Sequence, residues 1–186
     1  GVQTCALPIY PQVTYKLYSA DADDIKDRVN KGLLDICLLT EPVDVDKYDF
    51  IRIPQKERWG VIMRKDSPLA QERSVAPEDL LAYPILIPGR ALVQNELDNW
   101  FGDAYGAVHI IGRYNLIYNA AILVEAGVGV ALCLEKLVPV SEETELCFRT
   151  LAPALETGVV IAWKKNQIFP PAVAKFIELL KNAFRA

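Results

Sequence analysis

Three short polar stretches carry the residue types that could hold a small molecule: Thr40-Glu41, Gly89-Arg90 and Arg113-Tyr114-Asn115. Each follows an apolar run that reads as a strand, and in open α/β sheets ligands bind where strand carboxyl ends meet helix N-termini. Thr40 and Glu41 would offer a hydroxyl and a carboxylate. Gly89 permits close approach of backbone, and Arg90 can grip a carboxylate with two parallel hydrogen bonds. Arg113 and Tyr114 would line the same end, while Asn115 caps the helix that follows. Plainer roles stand beside each of these: a turn ahead of Pro42, a solvated rim for Arg90, capping alone for Asn115. Tyr118 and Asn119, in the next helical turn, are weaker candidates. Two arginines and two helix N-termini predict a small anionic or zwitterionic ligand, such as a carboxylic acid.

Catalytic chemistry finds little to work with. His109 is the single histidine and sits in an apolar strand pattern, which suits a structural partner better than a general base. No G-x-S-x-G elbow, H-E-x-x-H helix or P-loop is present. Gly127-Val128-Gly129 is too short for a dinucleotide fingerprint, and Gly127 reads as a helix stop. Asp21, Asp23 and Asp24 suit a helix start, where carboxylates complement the dipole. The SEETE stretch at 141–145 suits a solvated loop. The expectation is a binding protein with no enzyme activity, metal or cofactor.

Composition narrows the class further. With 186 residues and 52% hydrophobic content, the chain can bury a sizeable core, so disorder is excluded. A net charge of −4 gives no footprint for phosphate backbones, so these residues alone are not expected to grip nucleic acid. No apolar run approaches the roughly 20 residues that span a bilayer, and the start lacks a secretory pattern, which favours the cytoplasm. Cys5, Cys37, Cys133 and Cys147 show no C-x-x-C spacing and fall in apolar segments, as buried free thiols would.

Elements that would position the polar stretches follow from periodicity. VTYKLY (13–18) alternates as a strand does, a helix capped near Asp21 runs to about Lys31, and LLDICLLT (33–40) reads as a strand buried on both faces of a parallel sheet. FIRI (50–53) and WGVIM (59–63) read as two strands, and PEDLLA (77–82) as a short helix. PILIP (84–88), a helix over about 91–101, VHIIGRY (108–114), a helix over 115–127 and VGVALC (128–133) repeat the β-α pattern. TELCFRTL and TGVVIAWKK give late strands, and an amphipathic helix begins at Pro171. The alternation implies an α/β fold of two lobes.

The runs YPQVTYKLY, GLLDICLLTEP, KDSPLA, DLLAYPILIP and above all NLIYNAAILVEAGVGVAL resemble the effector-binding domain of LysR-type transcriptional regulators, in that order and spacing. The resemblance covers about residues 10–182. It implies two Rossmann-like lobes, like those of type 2 periplasmic binding proteins, with lobe one from 10–63 and 156–186 and lobe two from 64–155. It also implies a small effector in a cleft between the lobes, self-association as a dimer or tetramer, and DNA binding only through a winged helix-turn-helix missing from this chain. A solute-binding protein of a transport system shares that architecture and is the alternative; an α/β enzyme is third.

Family domains also carry a first strand and helix ahead of the YPQV element, which the opening residues do not supply. Residues 1–9, GVQTCALPI, instead resemble the in-frame translation of a common sequencing adapter, fused to a truncated gene. A lobe one without that strand is expected to be poorly soluble or domain-swapped.

Overall fold

The computed structural model describes residues 12–184, so the adapter-like segment lies outside the described residues. The chain divides into two compact units, Gly1–Gln55 with Gly158–Ala186, and Lys56–Thr157.

Unit one begins with α1 (Ala22–Asn30), whose N-cap Asp21 accepts the backbone N–H groups of Asp23 and Asp24, each at 3.0 Å. Ala22, Ile25 and Val29 recur at helical spacing and are buried. They pack on Cys37 and Leu39 of β1 (Cys37–Thr40) and on Val160 and Ala162 of β8 (Glu156–Lys164). β1 runs antiparallel to β8, with Cys37 opposite Ala162 and Thr40 opposite Val159, and β8 neighbours β2 (Tyr48–Arg64). The final helix, α4 (Pro171–Ala183), starts at a proline and buries Ile177 and Leu180.

Unit one departs from the sequence expectation at two places. Residues 13–18 form no strand, because no sheet edge takes up their backbone groups; Leu17 is 79% exposed. Side chains hold the segment instead: Tyr15 meets Phe176 edge to face, and the Arg28 guanidinium lies 4.0 Å from the centre of the Tyr18 ring. β1, expected as a doubly buried parallel strand, is antiparallel to its single neighbour among the described residues. Its Leu38 is 61% exposed.

Unit two is built on parallel strands. β4 (Ile85–Pro88) lies between β6 (Val130–Leu134) and β5 (Ile110–Tyr114), parallel to both. The later part of β2 runs antiparallel to β6 on one side and to β7 (Leu146–Leu151) on the other, and the short β3 (Ser74–Val75) pairs with β7. Helix α2 (Ala91–Phe101) connects β4 to β5, and α3 (Ile117–Glu125) connects β5 to β6.

Strand alternation sorts this core into two faces. Val61, Ile85, Ile87, Leu132 and Leu134 face Val93, Leu97 and Phe101 of α2. Ile62, Leu86, Ala131 and Cys133 face Ala120, Ala121 and Val124 of α3. Both faces are covered, which is why β4 and β6 are nearly unbroken apolar runs. Leu97 is 1% exposed, and truncating such a side chain to alanine typically costs about 2–5 kcal/mol.

Smaller differences have local causes. FIRI and WGVIM belong to one strand, β2, which continues through the intervening residues 54–58. PEDLLA forms only a 3-10 turn at Glu78–Leu80, where Asp79 Oδ2 ties back to the Ala76 N–H at 2.8 Å. Gly127, at φ +79°, ends α3 as its position predicts.

Candidate functional site

The parallel register of β4 and β5 brings two of the three polar stretches together. Ile87 lies opposite Arg113 and Pro88 opposite Tyr114. One residue on, the Gly89 N–H donates to the Tyr114 carbonyl at 2.8 Å. Gly89-Arg90 and Arg113-Tyr114-Asn115 therefore share one sheet end, where α2 and α3 both begin. The chain leaves β4 for β5 on one side and returns to β6 on the other, so this end is a topological switch point, the usual ligand position in doubly wound sheets.

Each residue there has a distinct setting. Arg90 is the N-cap of α2 in extended conformation, and its carbonyl accepts the Gln94 N–H at 2.9 Å. Among the described residues no side-chain cap bond closes the start of α2, where the first-turn N–H groups of a helix favour anions. Gln94 Nε2 donates to the Gly89 carbonyl at 3.0 Å, bracing the loop. Gly89 is exposed, and a Cβ built there would come no nearer than 3.4 Å to a neighbour.

Arg113 and Tyr114 leave opposite faces of β5, as strand alternation requires. Arg113 lies on the α2 side beside Tyr105, whose phenol is held above its ordinary value chiefly by a hydrogen bond to Asp98, with Arg113 acting the other way. Tyr114 packs on the α3 side and donates its hydroxyl to the Leu132 carbonyl at 2.5 Å. Burial pushes the Tyr114 phenol far up, so it stays protonated. Asn115 does not cap α3: the helix starts at Ile117 with Leu116 as N-cap, and Asn115 Oδ1 accepts the Leu116 N–H at 2.9 Å. The apolar cap position is the physical reason, since α3 opens two residues later than its pattern suggests.

Thr40 and Glu41 belong to unit one. Thr40 ends β1, and the Glu41 N–H donates to the Gly158 carbonyl at 2.9 Å. The Glu41 carboxylate is engaged by Arg52, whose Nη2 and Nε lie 2.7 and 3.1 Å from Oε1. His109 is exposed and offers its carbonyl to the Ile85 N–H.

Two cavities open in unit two, and Gly89, Arg90, Arg113, Tyr114 and Asn115 line neither of them. One of about 330 Å³ sits under Val138 and Phe148 on the α3 side, and one of about 200 Å³ lies beside Tyr83, Pro84 and Gly129 at the strand amino ends. Among the described residues no cluster of His, Cys, Asp and Glu could hold a metal ion, and no helix is long and apolar enough to cross a membrane. Cys37, Cys133 and Cys147 are free and buried. Three buried polar atoms escaped the sequence reading, Trp59 Nε1, Asp98 Oδ1 and Gln167 Oε1, none with a hydrogen-bond partner among the described residues; of these the Trp59 indole is the one donor. Periodicity could place Trp59 on a strand, but nothing local to the sequence marks a missing partner.

Comparison with known proteins places this architecture. The model of the LysR substrate binding domain matches residues 9–185. Two curated relatives from Bacillus subtilis (strain 168), the uncharacterized HTH-type transcriptional regulators YvbU and YybE, are 23% and 24% identical over 95% and 94% of this chain. The chain spans about 60% of the length of each. Among solved structures, HinK, a LysR family transcriptional regulator from Pseudomonas aeruginosa, superposes with a TM-score of 0.77 at 17% identity, covering 98% of this chain and 64% of that one. The effector binding domain of QuiR in complex with shikimate gives 0.81 at 14%, covering 98% and 88%. The BenM effector binding domain with benzoate gives 0.70 at 20%, covering 98% and 84%. These structural likenesses establish the α/β fold, and with the family match along nearly its whole length the chain belongs to the LysR substrate-binding domain family.

Proposed function

We propose that this chain is the effector-sensing part of a cytoplasmic LysR-type transcriptional regulator, and that it holds a small anionic molecule at the carboxyl ends of β4 and β5. The observation that carries the reading is the Gly89 N–H to Tyr114 carbonyl bond. It sets Arg90, Arg113 and the uncapped start of α2 around one sheet end, where their positive ends favour a carboxylate. Asn115 and the Tyr114 backbone complete that end, and Thr40 and Glu41 are the corresponding candidates in unit one. The effector works by binding, without chemistry, and shifts the population of regulator states. DNA is contacted by a helix-turn-helix part of the regulator beyond this chain, a reading supported by the helix-turn-helix naming of both curated relatives over a transport solute-binding protein.

Self-association as a dimer or tetramer belongs to the same proposal. It is supported by α3, which buries Ala120, Ala121 and Val124 yet leaves Tyr118, Ile122 and Leu123 exposed at 68%, 51% and 43%.

Calorimetric titration with benzoate, shikimate, glutamate, citrate and glucose tests the ligand class. One or more of the acids should bind, and Arg90→Ala should weaken that acid about tenfold or more, as loss of a charged hydrogen bond does. Selective binding of glucose, or an Arg90→Ala variant with unchanged affinity, would overturn the reading.

A further inference from the structure

Trp59 is 6% exposed, and its Nε1–H has no acceptor among the described residues. The other two tryptophans are differently placed. Trp100 Nε1 donates to the Pro153 carbonyl at 2.7 Å, and Trp163 lies 5.4 Å from the Lys181 ammonium across its ring face. A buried indole N–H ordinarily finds a partner, because the desolvated donor is otherwise costly.

Register sets the Trp59 backbone in line with the strand-end site. Trp59 pairs with Leu134, the last residue of β6. β4 and β6 are parallel, with Ile85 opposite Val130 and Leu86 opposite Ala131. The same register, extended three residues to the loop just past β4, brings Gly89 level with Leu134. Trp59, Leu134 and Gly89 thus form one row across three strands, about 10 Å end to end at ordinary strand spacing. Parity gives the row a common face. Trp59 and Leu134 belong to the α2-side core with Ile85 and Ile87, and Gly89 follows Ile87 by two residues. Having no side chain, Gly89 leaves room on that face, under the start of α2.

We infer that Trp59 is a specificity-determining contact of the effector site, its Nε1–H donating to an acceptor oxygen of a bound carboxylate-bearing molecule. The inference rests on the anionic-effector reading above and adds a residue to it. The indole N–H, the Arg90 guanidinium and the first-turn amides of α2 are all donors. A carboxylate, which only accepts, fits such a set, whereas a polyol must also find acceptors. The strand holds the indole in place: the Trp59 N–H donates to the Leu155 carbonyl at 2.9 Å, and Gly60 is packed against the Phe148 ring and the Arg149 carbonyl.

The protein labelled with ¹⁵N-tryptophan gives three indole resonances, and Trp59→Phe assigns one of them. Benzoate, shikimate, glutamate and citrate are titrated in turn, with calorimetry run alongside. For an acid that binds, the Trp59 indole resonance should move downfield while those of Trp100 and Trp163 stay in place. Trp59→Phe, which keeps most of the packing, should bind that acid about 5- to 50-fold more weakly. If the acid binds and the Trp59 resonance does not move, or Trp59→Phe binds it equally well, the Trp59 assignment fails and the effector reading survives. If none of the four acids binds, both fail. The resonance of the unmodified protein decides the matter should Trp59→Phe not fold.

Discussion

The carboxylate of Glu41 occupies the space that a side chain on Gly158 would need. The same carboxylate takes both hydrogen bonds from Arg52, and the Glu41 N–H bonds the Gly158 carbonyl. Gly158→Ala should therefore destabilise the protein by about 1–3 kcal/mol, as overpacking does. In a Glu41→Ala background the same change should cost much less, because the obstructing carboxylate is gone. A double-mutant cycle measured by urea unfolding reads the coupling, and additive effects would refute the contact.

Burial pushes the Cys37 thiol up to about 11 and the Cys133 thiol to about 12, while an unfolded thiol titrates near 8.5. Both folded values are raised, so their contribution to stability is complete below about pH 8.5 and drains away as pH rises beyond it. The urea midpoint should hold level between pH 6 and 8 and fall above 8.5, by about 1–2 kcal/mol per thiol near pH 10. Substituting Cys133 by alanine should flatten that fall. Aromatic disulfide reagents should leave Cys37 and Cys133 nearly unmodified until the chain is unfolded.

Tyr114→Phe removes the hydroxyl that donates to the Leu132 carbonyl across the α3 face. A loss of about 1–2 kcal/mol is expected from the deleted bond and the stranded carbonyl. Because the phenol faces the core, effector affinity should change far less than in Arg90→Ala. Thermal unfolding and calorimetry on the two variants separate these roles.

Exposed apolar residues on α3 make a further prediction about assembly. Ile122→Glu puts a charge in the middle of the surface formed by Tyr118, Ile122 and Leu123. Light scattering behind size-exclusion chromatography should show a shift towards monomer, with the circular dichroism spectrum unchanged. An unaltered mass would place self-association elsewhere.

Unit two was the more legible half, and the reason is its wrapping. Strands covered on both faces need apolar side chains at every position, so Ile85–Pro88 and Val130–Leu134 stand out as runs bounded by glycine or proline. Leu38 misled for the converse reason: an apolar residue on a strand says nothing of whether a neighbour covers it, and here none does among the described residues. FIRI and WGVIM read as two strands because proline cannot donate to a ladder, yet β2 runs straight through Pro54. At the candidate site, strand ends were readable and side-chain directions only partly so. Alternation separates Arg113 from Tyr114 by simple parity, but the Tyr114 bond to Leu132 depends on a strand 18 residues away in the chain. An unmade bond, as at Trp59, depends on the whole surroundings and has no local pattern.

Unit two is one unbroken stretch, Lys56–Thr157, inserted between the two pieces of unit one. On the ribosome it is complete once Thr157 has been added, and it can collapse on its own contacts while β8 and α4 are still unmade. Unit one, begun earlier, finishes later: the core that Ile25, Val29, Leu39 and Tyr48 share stays incomplete until Val160 and Ala162 arrive. At ordinary synthesis rates of about 5–20 residues per second, that leaves the apolar stripe of α1 only partly covered for several seconds. The nascent chain thus passes through an interval in which a finished inner domain hangs from an open outer one, and chaperone dependence should concentrate there.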